Sequence, residues 1–335
     1  RLLLKHLQDD NALVRRAIAK VLGETVSREA EAALIGLLAD ENGHVRSAAA
    51  EALGRLGSRK AVEPLLRLLE DEYESVQESA IHALADIGDD SVLDGLVKEF
   101  TAHAASLRKN IVLVVGRFST EKAADALTFA LKDEEPEVRK AVVQAFGHLG
   151  GVRAVRPLLL AITDDDPEIR MLAADALGKT NVPEAAEALL PLLEDDDLWV
   201  RAAAARGLGR IGGEKIGKTL AGYLDRAEGI FLLALVDVLG KLREERALPA
   251  LLKLADHQDP EVRKTVLTAL SAYGGPQVQR AVLARLSDPH WSVRKAAVDL
   301  LRERRDAAAE PLLERIAEQD PDHIVRQAAR EAMGR

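Results

Sequence analysis

Eight histidines, at His6, His44, His82, His103, His148, His257, His290 and His323, are the first residues in this sequence to test for chemistry. Imidazoles that share a metal on one helix recur at three- or four-residue spacing, and none of these has a partner at that distance or a glutamate directly after it. The chain has no cysteine, which excludes disulfides, thiol nucleophiles and thiolate ligands and permits a reducing compartment. Carboxylates are abundant, but clusters such as Asp164 to Asp166 and Asp195 to Asp197 precede apolar helical patterns, where the helix dipole favours negative charge without any acid or base role. No catalytic residue, metal site or cofactor is expected.

The charges are regular instead of clustered. Stepping by 31 residues from Val138 lands on Val14, Val45, Val76, Leu107, Ile169, Val200, Phe231, Val262 and Val293, and a last step of 32 reaches Val325. The residue after this marker is Arg in nine of the eleven copies, Asp stands five before it in eight, and Gly stands nine after it in eight. A fixed period of this kind is the signature of a repeat architecture. Arg is missing at Gln77 and Leu232, and the Asp that opens the following copy is then missing too, at Ala102 and His257. The paired losses predict a structural ladder in which each Arg bonds the Asp of the next copy, as Arg139 with Asp164 and Arg170 with Asp195. Arg226 departs from that rule, because Arg201 before it is retained.

Within one copy, Pro136 suits a first helical turn and Val138, Ala141, Val142, Ala145, Phe146 and Leu149 form one apolar helix face. Gly150 and Gly151 supply a turn, and Ala154, Val155, Leu158, Leu159 and Ile162 mark the buried side of a second helix. Full copies begin at Asp9, Asp40, Asp71, Ala102, Asp133, Asp164, Asp195, Arg226, His257 and Asp288. Each helix pair buries its apolar face only against its neighbours, so the expectation is a single array over 1–335, ten full repeats from about 9 to 319 with partial repeats at both ends. Arg1 to Gln8 reads as the end of a copy, so the chain is expected to be an excerpt.

The pattern in DENGHVRSAAAEALGRLG at 40–57 and DDDPEIRMLAADALGKT at 164–180 resembles the short HEAT-like repeats of phycobilisome-lyase-type proteins. The resemblance covers essentially the whole chain. It implies an all-α, right-handed solenoid of stacked two-helix repeats, with first helices convex and second helices lining the concave side. It also implies a range of activities, from scaffolds and adaptors to chromophore lyase subunits.

A net charge of −9 with both signs interspersed argues against nucleic-acid binding, which needs a basic footprint. No apolar run approaches the roughly 20 residues of a membrane span. The expected function is therefore a non-enzymatic scaffold, cytoplasmic, holding a protein or peptide in its concave groove. The alternatives are a phycobilin lyase-type subunit or another chromophore-handling component, and a nucleic-acid-binding protein.

Candidate binding residues are those at solvent-facing repeat positions that vary between copies. Twenty-two after the marker the row runs Lys5, Gly36, Arg67, Lys98, Phe129, Leu160, Pro191, Gly222, Lys253 and Ala284. Phe129, Leu160 and Pro191, edged by Arg156 and Lys218, are expected to form an apolar floor, or else Phe129 and Leu160 tuck into packing between copies. On the opposite face Met171 and Leu233 replace charged residues, and Gly229 to Val236 is apolar nearly all round. Met171, Phe231 and Leu233 are therefore candidates for an oligomer or flanking-domain contact through the eighth copy. Trp199 and Trp291, at the starts of first helices, are read as covers for a neighbouring loop, with ligand stacking as the alternative.

Overall fold

A computed structural model describes residues 6–25, 28–88, 90–100, 104–304 and 309–334. Lys5, Ala102 and His103 lie outside them. The described residues form α-helices and short 3-10 turns, with no strand among them. The chain divides into two compact units, Arg1–Ala176 and Leu177–Arg335.

The repeat is built as its composition dictates. In the fifth copy the first helix is Pro136–Leu149 and the second is Gly151–Ala161. Pro136 sits in the first turn, and Gly150 ends the helix at φ 61°, the left-handed region that glycine enters without a Cβ clash. Val138, Ala141, Val142, Ala145 and Phe146 are buried on the first helix, and Ala154, Val155 and Leu158 on the second. Elsewhere Asn11, Asn42, Asp197, Asp259 and Asp322 cap their first helices through side-chain oxygens.

Within each unit the first helices of consecutive copies lie against one another far more extensively than the second helices do. The glycine nine after the marker makes this possible. A β-carbon added to Gly23 would sit 2.7 Å from the Cα of Ala52, and one added to Gly240 equally close to that of Ala269. Small residues on both sides let the helix axes approach.

Leu232 and Phe231 are both buried, Phe231 at 2% exposure with its ring edge-on to Tyr223 at 5.9 Å. This corrects the reading of Phe231 as an interface residue. It occupies the marker position, which is buried in every copy from Val45 onward, so the apolar run beside it is partly repeat core and partly surface.

Candidate functional site

The Arg and Asp series forms a repeating set of ion pairs. Arg139 donates from Nε to Asp164 Oδ2 at 2.8 Å and from Nη2 to Oδ1 at 3.0 Å, while its Nη1 reaches the carbonyls of Asp133 and Glu134. Arg15 with Asp40, Arg46 with Asp71, Arg108 with Asp133, Arg263 with Asp288 and Arg294 with Asp320 repeat the bidentate contact. A guanidinium such as Arg139 therefore closes the turn of its own copy and grips the next. The carboxylate also accepts a turn amide two residues on, as Asp40 does from Asn42. Arg170 donates to the carbonyls of Asp164 and Asp165, and Asp195 accepts the Asp197 amide.

Where the pattern breaks, the structure substitutes for it. Gln77 donates to the Asp71 carbonyl at 2.6 Å, the role of an Arg Nη1, and the buried Asn110 donates to both the Gln77 amide oxygen and the Leu69 carbonyl. In place of an Asp, His257 accepts the Asp259 amide on Nδ1 at 3.1 Å, and the buried Leu232 before it requires no carboxylate. Arg226 instead pairs with Glu194 at 2.6 Å and lies over the Tyr223 ring.

Burial acts to raise the pKa of Asp40, Asp133, Asp288 and Asp320, and hydrogen bonds from the paired Arg and the turn amide, with the nearby Arg charges, outweigh it and lower all four. Such carboxylates are locked as anions. Among the described residues no group of three or more His, Cys, Asp and Glu side chains is placed to hold a metal ion. No described helix is long and apolar enough to cross a membrane.

The surface is more informative. Phe129 lies in the last turn of the second helix Glu121–Ala130 and is 60% exposed, and Leu160, at the same place on Gly151–Ala161, is 56% exposed. Neither tucks between copies. Arg156 is exposed one turn before Leu160. Pro191 and Lys218 are also exposed but belong to the second unit, on the turn Pro191–Glu194 and the helix Glu214–Ala221. Met171 and Leu233 are half-buried on first helices.

Repeat patterning did not single out the first-helix surface of the first unit. A groove of about 580 Å³ runs across Glu74–Ile87, Ala105–Val115 and Pro136–Leu149, lined by Glu78, His82, Leu113, Arg117, Gln144 and His148 among others. Leu113 is 37% exposed there, six after its marker, where other copies carry Lys20, Glu51 or Gln144. That departure from a polar row was the available signal. Trp199 is 56% exposed and Trp291 is 40% exposed beside the His290 ring.

Comparison with known proteins gives a family and a fold. Kap121p bound to RanGTP aligns over 98% of this chain and 44% of its own, at 14% identity and a TM-score of 0.65. Kap121p alone aligns over 98% and 40%, at 15% identity and a TM-score of 0.60. The chain thus spans less than half the length of these solenoids. An engineered protein at 21% identity, covering 99% of this chain and 97% of its own, superposes only at a TM-score of 0.38. No curated protein matches in sequence. The profile described as HEAT repeats matches residues 1–85, 54–104, 93–165, 155–231, 220–289 and 275–334, and by that near-complete coverage the chain belongs to the HEAT-repeat family, with the α-solenoid architecture of that family.

Proposed function

We propose that this chain is a non-enzymatic scaffold that holds a protein or peptide segment against its helical faces. One observation carries the reading: Phe129 and Leu160 stand more than half exposed at equivalent positions of consecutive second helices, with Arg156 exposed one turn before Leu160. A monomer gains nothing by leaving a phenylalanine and a leucine in water at equivalent repeat positions, whereas a partner that covers them gains their burial. The 31-residue period supports the short, phycobilisome-lyase-type subgroup of HEAT repeats. The protein-binding reading also agrees with one structural neighbour, Kap121p, whose complex with RanGTP is among the solenoids that this chain resembles.

The closer spacing of first helices within a unit supports placing them on its inner side, because two layers of unequal spacing bend toward the closer one. The Phe129 and Leu160 strip then faces outward, and the Leu113 groove inward, the reverse of what the repeat resemblance implied.

The test is capture of partners from the native lysate by the wild-type chain and by Phe129→Glu with Leu160→Glu, followed by affinity measurement with the purified partner. A loss of at least about tenfold in affinity with unchanged helicity is expected. Equal binding by both proteins overturns the strip as the site.

A further inference from the structure

We propose that the second helices Glu121–Ala130 and Gly151–Ala161 form a twofold interface with a second molecule of this chain, with Asp125 meeting Arg156 and Phe129 meeting Leu160 across it. The inference rests on the scaffold reading and deepens it by naming the occupant of the same strip. Both helices belong to the first unit, and Arg153 ties their starts together by donating to the Ser119 carbonyl at 2.8 Å. Asp125 and Arg156, 31 residues apart, are exposed one turn before Phe129 and Leu160. Among the described residues neither charge has a hydrogen bond or an ion pair, and they do not reach each other. One helix therefore presents a carboxylate and then a phenyl ring, and the next presents a guanidinium and then a leucine.

The repeat sets the register. Stacked copies place equivalent residues at the same level of neighbouring helices. A twofold axis parallel to the two helices and midway between them lays each helix over the other one of the second molecule, in the same direction and at the same level. Asp125 of either molecule then faces Arg156 of the other, and Phe129 faces Leu160. Each match is made twice, as an isologous interface requires. Glu121, one turn before Asp125, faces Val152 and is long enough to reach the same guanidinium. An axis across the helices would lay each on its own counterpart, and Glu121–Ala130 has no free cation there to answer Asp125, because its one lysine, Lys122, already pairs with Asp94.

The apolar pair supplies the attraction and the charges fix its level. Phe129 and Leu160 lose their water on closure, while a shifted register opposes like charges or leaves them unanswered. A foreign segment would have to carry two charges and two apolar groups in matching order, whereas a second molecule brings that order with it. The preceding second helix, Asp90–Glu99, has Lys98 where these two have Phe129 and Leu160, which ends the strip on that side. Four helices make a small interface, so a reversible dimer of micromolar affinity is expected. Second helices on the outer side of the unit can close on their like, which two hollow faces could not.

Sedimentation velocity of the chain across the micromolar range reads the association directly. A dimer is expected, weakened at least about tenfold by Asp125→Arg and by Arg156→Asp, each of which opposes like charges twice. The double variant exchanges the two charges and restores the match, so its dissociation constant is expected to return to within about threefold of the wild type. Both positions are exposed, so the variants keep the wild-type helicity, which circular dichroism checks. A monomer throughout that range, a dimer indifferent to the single reversals, or a double variant as weak as the singles overturns the proposal. Phe129→Glu with Leu160→Glu separates it from the scaffold reading, and loss of the dimer in that variant supports both. A monomeric chain whose lysate partner still depends on those two residues removes the second molecule as occupant and leaves the scaffold reading. A dimer that survives the variant, with no partner sensitive to it, removes both.

Discussion

Gly54 lies so close to the following copy that a β-carbon added to it would sit 2.7 Å from the Cα of Ala83. That atom is backbone on a buried helix face, so accommodating the methyl group means moving a helix. Gly36, also helical, has nothing within 4 Å of the same added atom. Gly54→Ala is therefore expected to destabilise by about 1–3 kcal/mol despite its gain in helix propensity, while Gly36→Ala stabilises by about 0.5–1 kcal/mol. Urea titration of the two variants beside the wild type checks the opposite signs.

Arg139 donates two hydrogen bonds to Asp164, at 2.8 and 3.0 Å, with both side chains mostly buried. Their single alanine substitutions remove the same contact, so the double variant is expected to lose less than the sum of the two. The coupling should be about 0.5–3 kcal/mol in a double-mutant cycle. Additive losses would show that the carbonyl contacts of Arg139, not the carboxylate, carry its contribution.

Acid should loosen the ladder at several rungs together. The pKa values of Asp40, Asp133, Asp288 and Asp320 are lowered in the folded chain, against burial, by the paired guanidinium and the turn amide. A depressed folded pKa gives stability that is complete above the unfolded value of about 3.9 and is lost as pH falls below it through the folded value. Urea midpoints should thus hold steady from neutral pH to about 5 and fall steeply below about 4. Asp288→Asn should start lower and show a shallower acid limb. An unchanged limb would assign the acid sensitivity to other carboxylates.

Phe231 and Leu233, two residues apart, should respond very differently. Phe231 fills the core against Tyr223, so Phe231→Ala is expected to cost about 3–5 kcal/mol. Leu233 is only half-buried, so Leu233→Ala should cost about 1 kcal/mol or less. Thermal unfolding of both variants measures the difference, and a large loss at Leu233 would place it in the core too.

The period, the helix pair and the identity of the core face were all legible in the order of residues. A 31-residue recurrence of one apolar marker leaves little freedom, because every copy must bury the same face against its neighbour. The paired losses of Arg and Asp pointed to contacts between copies for the same reason: a carboxylate without its cation is costly, so both tend to go together. His257 and Gln77 show the limit of that logic. Their side chains take over single hydrogen bonds of the missing groups, and only the folded chain reveals that Asn110, from a different copy, completes the set.

Exposure depended on how copies pack. Phe129 and Phe231 are the same residue type in helices of the same array, yet one is 60% exposed and the other 2%. Repeat position settles Phe231 once its marker role is taken seriously, since that position is core in every copy from the second onward. No rule settled Phe129, because its position lies at the border between the surface and the contact of successive second helices. The spacing of those helices decided it. First helices drawn together by glycine and alanine leave the second helices farther apart within a unit, and a side chain there stays in water. A single copy holds no record of that spacing, which arises only when two copies pack.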